Sequence, residues 1–351
     1  MLTVSSRVLS LSAEAAVLVS GGKIVYANAH AEKMLGAPCV GKALSAVFSP
    51  EICQSQAGTF TADTVVAGKR CNVRTAKLED LQAFFLSPVE IAPVLVNDAF
   101  LFSVRSALMN LRLSAGLSQS RAEESGDEEL RSYLRSLQRD AFRITRLLDN
   151  ATVVRGLAAE DLAVSMEPLD LAKLCREITD SASLLRPDIS FKLYGEETLC
   201  LFADRVLVEQ MIYNLISNCL VHAKGLSRIS ISLVPTATQV ILSVSDDGCG
   251  IAEDVMGHVF ERYRAGFSLG EMGDGAGLGL SVVRGIARLH DGTLMLESRP
   301  GSGASARVSL ARKLPATALR TPEQERIPEK ALLTGLADCL PPECYDGKYL
   351  D

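Results

Sequence analysis

The chain has 351 residues, enough for two or three domains, with 48% hydrophobic and 22% charged residues, which describes an ordinary globular core. A net charge of −6 and a pI near 5.4 argue against a nucleic-acid binder. Nine cysteines lie scattered at no framework spacing, which predicts reduced thiols in a cytoplasmic protein, and Cys339 with Cys344 is a lone pair that cannot complete a four-ligand zinc site. Met1 to Val19 lacks the apolar core of a signal peptide, and the most apolar stretch, Ala83 to Leu101, is broken by Pro88, Glu90, Pro93, Asn97 and Asp98, so no transmembrane segment is expected.

Residues 13 to 36 read as a strand, a turn at Gly21 and Gly22, a second strand, and a short helix begun at Asn28. With Tyr26, Asn28, Leu35 and Gly36 in register, this opening resembles the start of a PAS sensor domain, and residues 1–92 are assigned to such a domain. Gly58 to Val66, Lys69 to Thr75 and Leu81 to Leu86 suit its remaining strands. His30, its only histidine, sits on the short helix and reads as solvated. The plainer reading of this unit is a dimerising or partner-binding platform.

From 97 to 157 the pattern changes to a helical hairpin. Leu101, Val104, Leu108, Leu111 and Ala115 repeat at three and four, as do Leu130, Leu134, Leu137, Ala141, Ile144, Leu148 and Ala151. The polar run Ser118 to Asp127, with Gly126, is the expected turn between them. One narrow stripe buries poorly alone, so pairing with a second copy into a four-helix bundle, a homodimer, is expected.

Residues 160–314 carry four motifs. Asp204 opens a helix on which Asn214, Asn218 and His222 fall four apart, on one stripe. A strand from Val240 to Ser245 runs into Asp246, Asp247, Gly248, Cys249 and Gly250, which places an acid where the strand ends and glycines where the backbone must turn. Val259 to Arg264 is the third. Gly273, Gly275, Gly277 and Gly279, with Leu280, open a helix whose backbone N–H groups and dipole suit a polyphosphate. Asn218 offers a hard carbonyl oxygen for Mg2+, and Asp246 can accept from the amine of adenine. Upstream, Asp170 is an expected helix N-cap, and Ile189 to Leu193 and Thr198 to Phe202 are expected strands. Beyond Leu314, five prolines predict a mostly mobile tail over 315–351, with Leu332 to Leu336 as a short helix or docking segment.

The four motifs resemble the N box, first glycine box, F box and second glycine box of the ATPase domain of sensor histidine kinases, a Bergerat-fold domain shared with gyrase, Hsp90 and the mismatch-repair ATPases. The resemblance implies ATP with Mg2+ held by Asn218, adenine recognition by Asp246 beside Gly248 and Gly250, phosphate contact from Gly275, Gly277, Gly279 and the Leu280 turn, and a lid between about Asp254 and Gly275. Asn214 belongs to the same box, and His222 stands one place beyond a position often filled by lysine, where it can contact phosphate. The fold class is therefore α+β multidomain: a PAS-like α/β sensor, a two-helix dimerisation hairpin and a Bergerat-type α/β sandwich.

The resemblance also exposes a departure. In the family the first hairpin helix carries His-Glu-Leu-Arg-Thr-Pro-Leu, and the alignment through Val104 to Leu108 puts Phe102 at the phospho-accepting histidine and Ser103 at the neighbouring acid. The chain's histidines are His30, His222, His258 and His290, none of them in the hairpin. Ser103, Ser106 and Ser114 are the alternative hydroxyls. Three functions are weighed: an ATP-dependent kinase acting in trans, with a response regulator as a possible partner; a non-catalytic ATP-binding dimeric scaffold; and a hydrolysing ATPase. The last requires a glutamate one turn before the magnesium-binding asparagine, where this chain has Asn214, which cannot take a proton.

Overall fold

A computed structural model describes residue 9 and residues 14–48, 52–53, 60–66, 69–78, 81–88, 98–252, 255–256, 278–313 and 326–346. Strands β1 (Ala15–Ser20) and β2 (Lys23–Ala27) meet at Gly21 and Gly22, both at positive φ, the backbone a two-residue hairpin requires. Asn28 caps α1 (Ala29–Leu35), its Oδ1 accepting from Ala31 N at 2.9 Å and from Ala16 N at 3.0 Å, so one buried carboxamide fixes both the helix start and its seat on β1. β3 (Phe60–Val66), β4 (Lys69–Leu78) and β5 (Leu81–Pro88) complete an antiparallel order β2-β1-β5-β4-β3. Phe84 fills the middle of this unit, its ring 5.2 Å from that of Phe48 and 6.3 Å from that of Phe60.

The hairpin consists of α2 (Asp98–Ser125) and α3 (Glu128–Ala159), with Gly126 at φ 68 between them and Asp127 capping α3 through Leu130 N. The polar run from Ser118 was expected to turn; instead α2 continues through it to Ser125. Gln119 is buried there and its Nε2 donates to the Asp346 carboxylate at 3.0 Å, so a distant segment covers this end of the helix. Leu101, Leu108, Ala141 and Leu148 pack between the two helices, while Leu111, Leu130, Leu137 and Ile144 of the same stripes stay about 41–42% exposed.

β6 (Glu167–Asp170) pairs with β8 (Cys200–Ala203), and Asp170 caps α4 (Leu171–Leu185) as expected. β7 (Ser190–Tyr194), β9 (Arg228–Pro235), β10 (Gln239–Asp246), β11 (Leu294–Ser298) and β12 (Ala304–Ala311) form a mixed sheet in the order β11-β12-β10-β9-β7, with β7 and β9 parallel. Helices α4, α5 (Arg205–His222) and α6 (Gly279–Leu289) share one core with the alternating apolar residues Ile229, Ile231, Leu233, Val240, Leu242 and Val244. This is an α/β sandwich.

Two features join these parts. β3 pairs antiparallel with β11, Ala62 opposite Met295, so the N-terminal and C-terminal sheets are one sheet of ten described strands. Along β11 the pleat divides the side chains, Met295 entering the N-terminal core while Leu294 and Leu296 enter the sandwich core.

The second feature departs, over residues 326–346, from the expectation of a mostly mobile tail and agrees with the short helix or docking segment expected near Leu332 to Leu336. Residues 326–346 form α7 (Glu329–Gly335) and a 3-10 turn (Pro342–Tyr345), and Leu332, Leu333, Leu336, Ala337, Leu340 and Tyr345 are buried in the sandwich core beside Phe142 of α3. Pro328 stands at the start of α7, and Pro341 and Pro342 lead into the 3-10 turn, positions where a fixed φ is tolerated. Burial of the six apolar side chains outweighs the entropy that the proline-containing composition suggested. Among the described residues, no helix is long and apolar enough to cross a membrane.

Candidate functional site

Asp204 fixes the start of α5, the helix that carries the first wall of the site. Its Oδ1 accepts from Leu207 N at 3.0 Å and caps α5, its Oδ2 accepts from Ser165 N at 2.8 Å, and its own N–H donates to His290 Nε2 at 2.9 Å. His290 lies near the end of α6 with Nδ1 on Ile286 O at 2.8 Å, so its ring ties the start of α5 to α6. Burial lowers the His290 pKa against the smaller opposing effects of the Ile286 carbonyl and of Asp204 and Asp291. The neutral ring, donating from Nδ1 and accepting at Nε2, fits both bonds.

Along α5 the three expected residues differ sharply in exposure. Asn214 is buried, Asn218 is half-buried and His222 is exposed at the helix end. The start of α6 lies against them: a methyl group at Gly279 would sit 3.0 Å from Asn214 Oδ1 and 3.6 Å from Asn218 Oδ1. Only glycine leaves a gap there. Among the described residues no side chain caps α6 and no acid stands in its first turn, so none of them offsets the positive end of that helix dipole beside Asn218. Leu280 turns its side chain into the core, so any contact it makes at this site is through its backbone.

Asp246 ends β10, and its Oδ1 accepts from Gly248 N at 3.0 Å and Ala304 N at 3.3 Å. Cys219, the residue after Asn218, lies beside it; burial raises the thiol pKa and the Asp246 charge raises it further. Asp246 and Asn218 thus belong to adjoining surfaces of β10 and α5. The neighbouring Asp247 faces elsewhere, accepting from the Ser227 hydroxyl at 2.6 Å and from the N–H groups of Ser227 and Arg228, and the Ser227 hydroxyl leads in holding its pKa at about 2. Gly248 packs on Ala223, and Gly250, at φ 70, lies where a Cβ would strike the Arg299 carbonyl oxygen, which explains both glycines sterically. Gly275, Gly277 and the run Val259 to Arg264 lie outside the described residues.

Asn214 Oδ1 accepts from Arg146 Nη2 at 3.1 Å and Asn150 Nδ2 at 3.0 Å, and its Nδ2 donates to Asn150 Oδ1 at 3.0 Å and Gln210 O at 2.9 Å. Its carboxamide is bonded to the hairpin, Arg146 and Asn150 reaching from α3 to α5 by side-chain hydrogen bonds. Arg146 and Asn150 were not among the sequence candidates. They stand one turn apart on α3, the only local signal they give, and polar residues at that spacing on a long helix ordinarily face solvent.

The family profile of histidine kinase-, DNA gyrase B-, and HSP90-like ATPases matches residues 203–314, the stretch that contains α5, β10 and α6. The chain is 31% identical over 163 residues to the probable sensor histidine kinase TcrY of Mycobacterium tuberculosis, covering 45% of this chain and 34% of that protein. It is 30% identical over 184 residues to the sensor histidine kinase TmoS of Ectopseudomonas mendocina, covering 51% and 19% respectively. The chain therefore spans well under half the length of these two relatives. The crystal structure of full-length ShkA with AMPPNP superposes with a TM-score of 0.50 at 21% identity, over 63% of this chain and 47% of that one, a likeness of fold. The sandwich is thus an ATPase domain of the histidine-kinase type. Over this part of its length the chain is similar to sensor histidine kinases.

Proposed function

We propose that the chain is a cytoplasmic signalling protein that binds Mg-ATP without autophosphorylating on the usual histidine, and that it acts by phosphoryl transfer in trans or by nucleotide-controlled regulation of a dimer. Asp246 would receive adenine beside Gly248 and Gly250. Gly275, Gly277, Gly279 and the dipole of α6 would receive phosphates, with His222 at the rim. Asn218 would hold Mg2+, which when bound neutralises phosphate charge and bridges phosphate oxygens. The gap at Gly279 beside the Asn218 carbonyl fits such a group, because a Cβ would fill it. The relatives named sensor histidine kinases and the AMPPNP carried by ShkA support the nucleotide reading.

One observation carries the statement about autophosphorylation: the hairpin contains no histidine, and Phe102, at the aligned acceptor position, is 73% exposed and chemically inert to phosphoryl transfer. The assignment of residues 1–92 to a PAS-like sensor, 97–157 to a degenerate phosphotransfer hairpin and 160–314 to the ATPase domain belongs to this proposal. So do the homodimer and a response-regulator partner. The second reading, a non-catalytic scaffold, is favoured by the carboxamide of Asn214, which ties the pocket helix to the hairpin.

Incubation of the purified chain with γ-labelled ATP, followed by assay of acid-labile protein phosphate, tests the proposal. No label on the chain is expected, and label on an added response regulator selects the kinase over the scaffold. Appreciable acid-labile label on the chain itself overturns the reading of the hairpin.

A further inference from the structure

The Asn214 contacts continue beyond the hairpin. Arg146 is buried, and while Nη2 holds Asn214, Nη1 donates to Ser217 Oγ at 2.8 Å and pairs with the carboxylate of Asp338. Asp338 belongs to the C-terminal segment, just after α7, and also pairs with Arg143 Nε at 3.3 Å. The same segment is held at further points: Arg186, the residue after α4, donates from Nη1 to Cys339 O at 2.8 Å, and Tyr345 packs on Phe142 of α3 with its hydroxyl on Leu333 O at 3.0 Å. Gly335 lies so close to the ring of Tyr213, one residue before Asn214, that a Cβ would overlap it. The segment therefore touches the hairpin, α4 and the pocket helix together, and one of its ion pairs is with the buried arginine that holds Asn214.

A buried guanidinium without its carboxylate is costly, so Asp338 decides whether Arg146 stays where it can reach Asn214. Asn214 in turn borders Gly279 on one side and stands one turn before Asn218. We propose that Arg146 and Asn150 are positioning residues through which nucleotide occupancy is conveyed to the hairpin, and that the C-terminal segment is the strap that keeps this link closed by clamping Arg146 with Asp338. The proposal rests on the nucleotide reading of the α5 and α6 site given above. It makes the hairpin responsive to nucleotide in place, without an acceptor histidine for the ATPase domain to visit. Asn150 supports the link from the second side, accepting from Gln210 Nε2 at 3.0 Å as well as bonding Asn214 twice.

The test uses the full chain, with Mg-ATP and Mg-ADP as probes. Titration calorimetry gives affinity, and hydrogen exchange of amides in α3 between Phe142 and Val154 gives the hairpin's response. In the native chain, nucleotide is expected to change exchange across that stretch. Arg146→Lys, whose single ammonium cannot bridge Ser217, Asp338 and Asn214 at once, and Asp338→Asn are each expected to weaken binding roughly twofold to thirtyfold, the range reached by coupling through packed networks. Both should abolish the α3 response, and Asp338→Glu should restore part of it, which a merely structural loss would not predict. Should Asp338→Asn fail to fold, Asn150→Gln tests the same link with the strap untouched. Native affinity together with an unchanged α3 response in the folded variants overturns this inference alone. Absence of nucleotide binding in the native chain overturns both this inference and the function on which it rests.

Discussion

Asn218 and Asp246 differ in kind, one a neutral carboxamide beside a helix start and the other an acid at a strand end already bonded to Gly248 and Ala304. Under the proposed function, Asn218→Ala and Asp246→Ala should each weaken Mg-ATP binding about tenfold or more, the size of a lost hydrogen bond to a charged group, while leaving association of the chain intact. Calorimetry beside sedimentation checks both halves, and native affinity in either variant removes that residue from its role. His290 makes a separate prediction about stability. Its folded pKa lies below the ordinary 6.5, so the unfolded chain binds the proton more readily. The stability this residue contributes is complete above about pH 6.5 and is lost as pH falls toward its folded value. Denaturant unfolding between about pH 7 and pH 5 should show that decline, and His290→Gln should flatten it.

At the scale of elements, β11 and the strap each belong to two parts of the molecule. Met295 fills the N-terminal core from a strand of the sandwich, and Met295→Ala should cost about 2–5 kcal/mol and loosen the β3 to β11 pairing, read as faster amide exchange in β3. Gly335→Ala inserts a methyl against the ring of Tyr213 and should cost about 1–3 kcal/mol in thermal or denaturant unfolding. An unchanged unfolding midpoint would show that the strap rests on α5 less closely than this packing requires. Both positions illustrate why element function escaped the sequence. Met295 reads as one residue of an alternating strand, and Gly335 as one residue of a short apolar run, until the partner surface supplies the constraint.

For the whole molecule, the half-exposed Leu111, Leu130, Leu137 and Ile144 make up a face that the two-helix hairpin does not bury on its own. Association through that face predicts a concentration-dependent dimer by sedimentation, and Ile144→Glu should shift it toward monomer by burying a charge at the junction. A mass unaffected by that change would place any contact elsewhere. The joining of both sheets through β3 and β11 also gives the N-terminal unit a route into the ATPase domain that does not pass through the hairpin.

Much of this was legible from local pattern. Asn28 and Asp170 announced their helices because a cap acts on backbone groups two or three residues away, and Asn214, Asn218 and His222 declared one stripe because helical periodicity is local. The absence of a hairpin histidine is likewise a property of the sequence and of nothing else. Tertiary structure alone decided that Asn214 is bonded to Arg146 and Asn150, that α2 continues through its polar end, and that a proline-containing tail packs into the sandwich core. In each of those cases the deciding partner lies dozens to hundreds of residues away, and the free energy of burying a polar group or an apolar side chain depends on what meets it there, which no local spacing records.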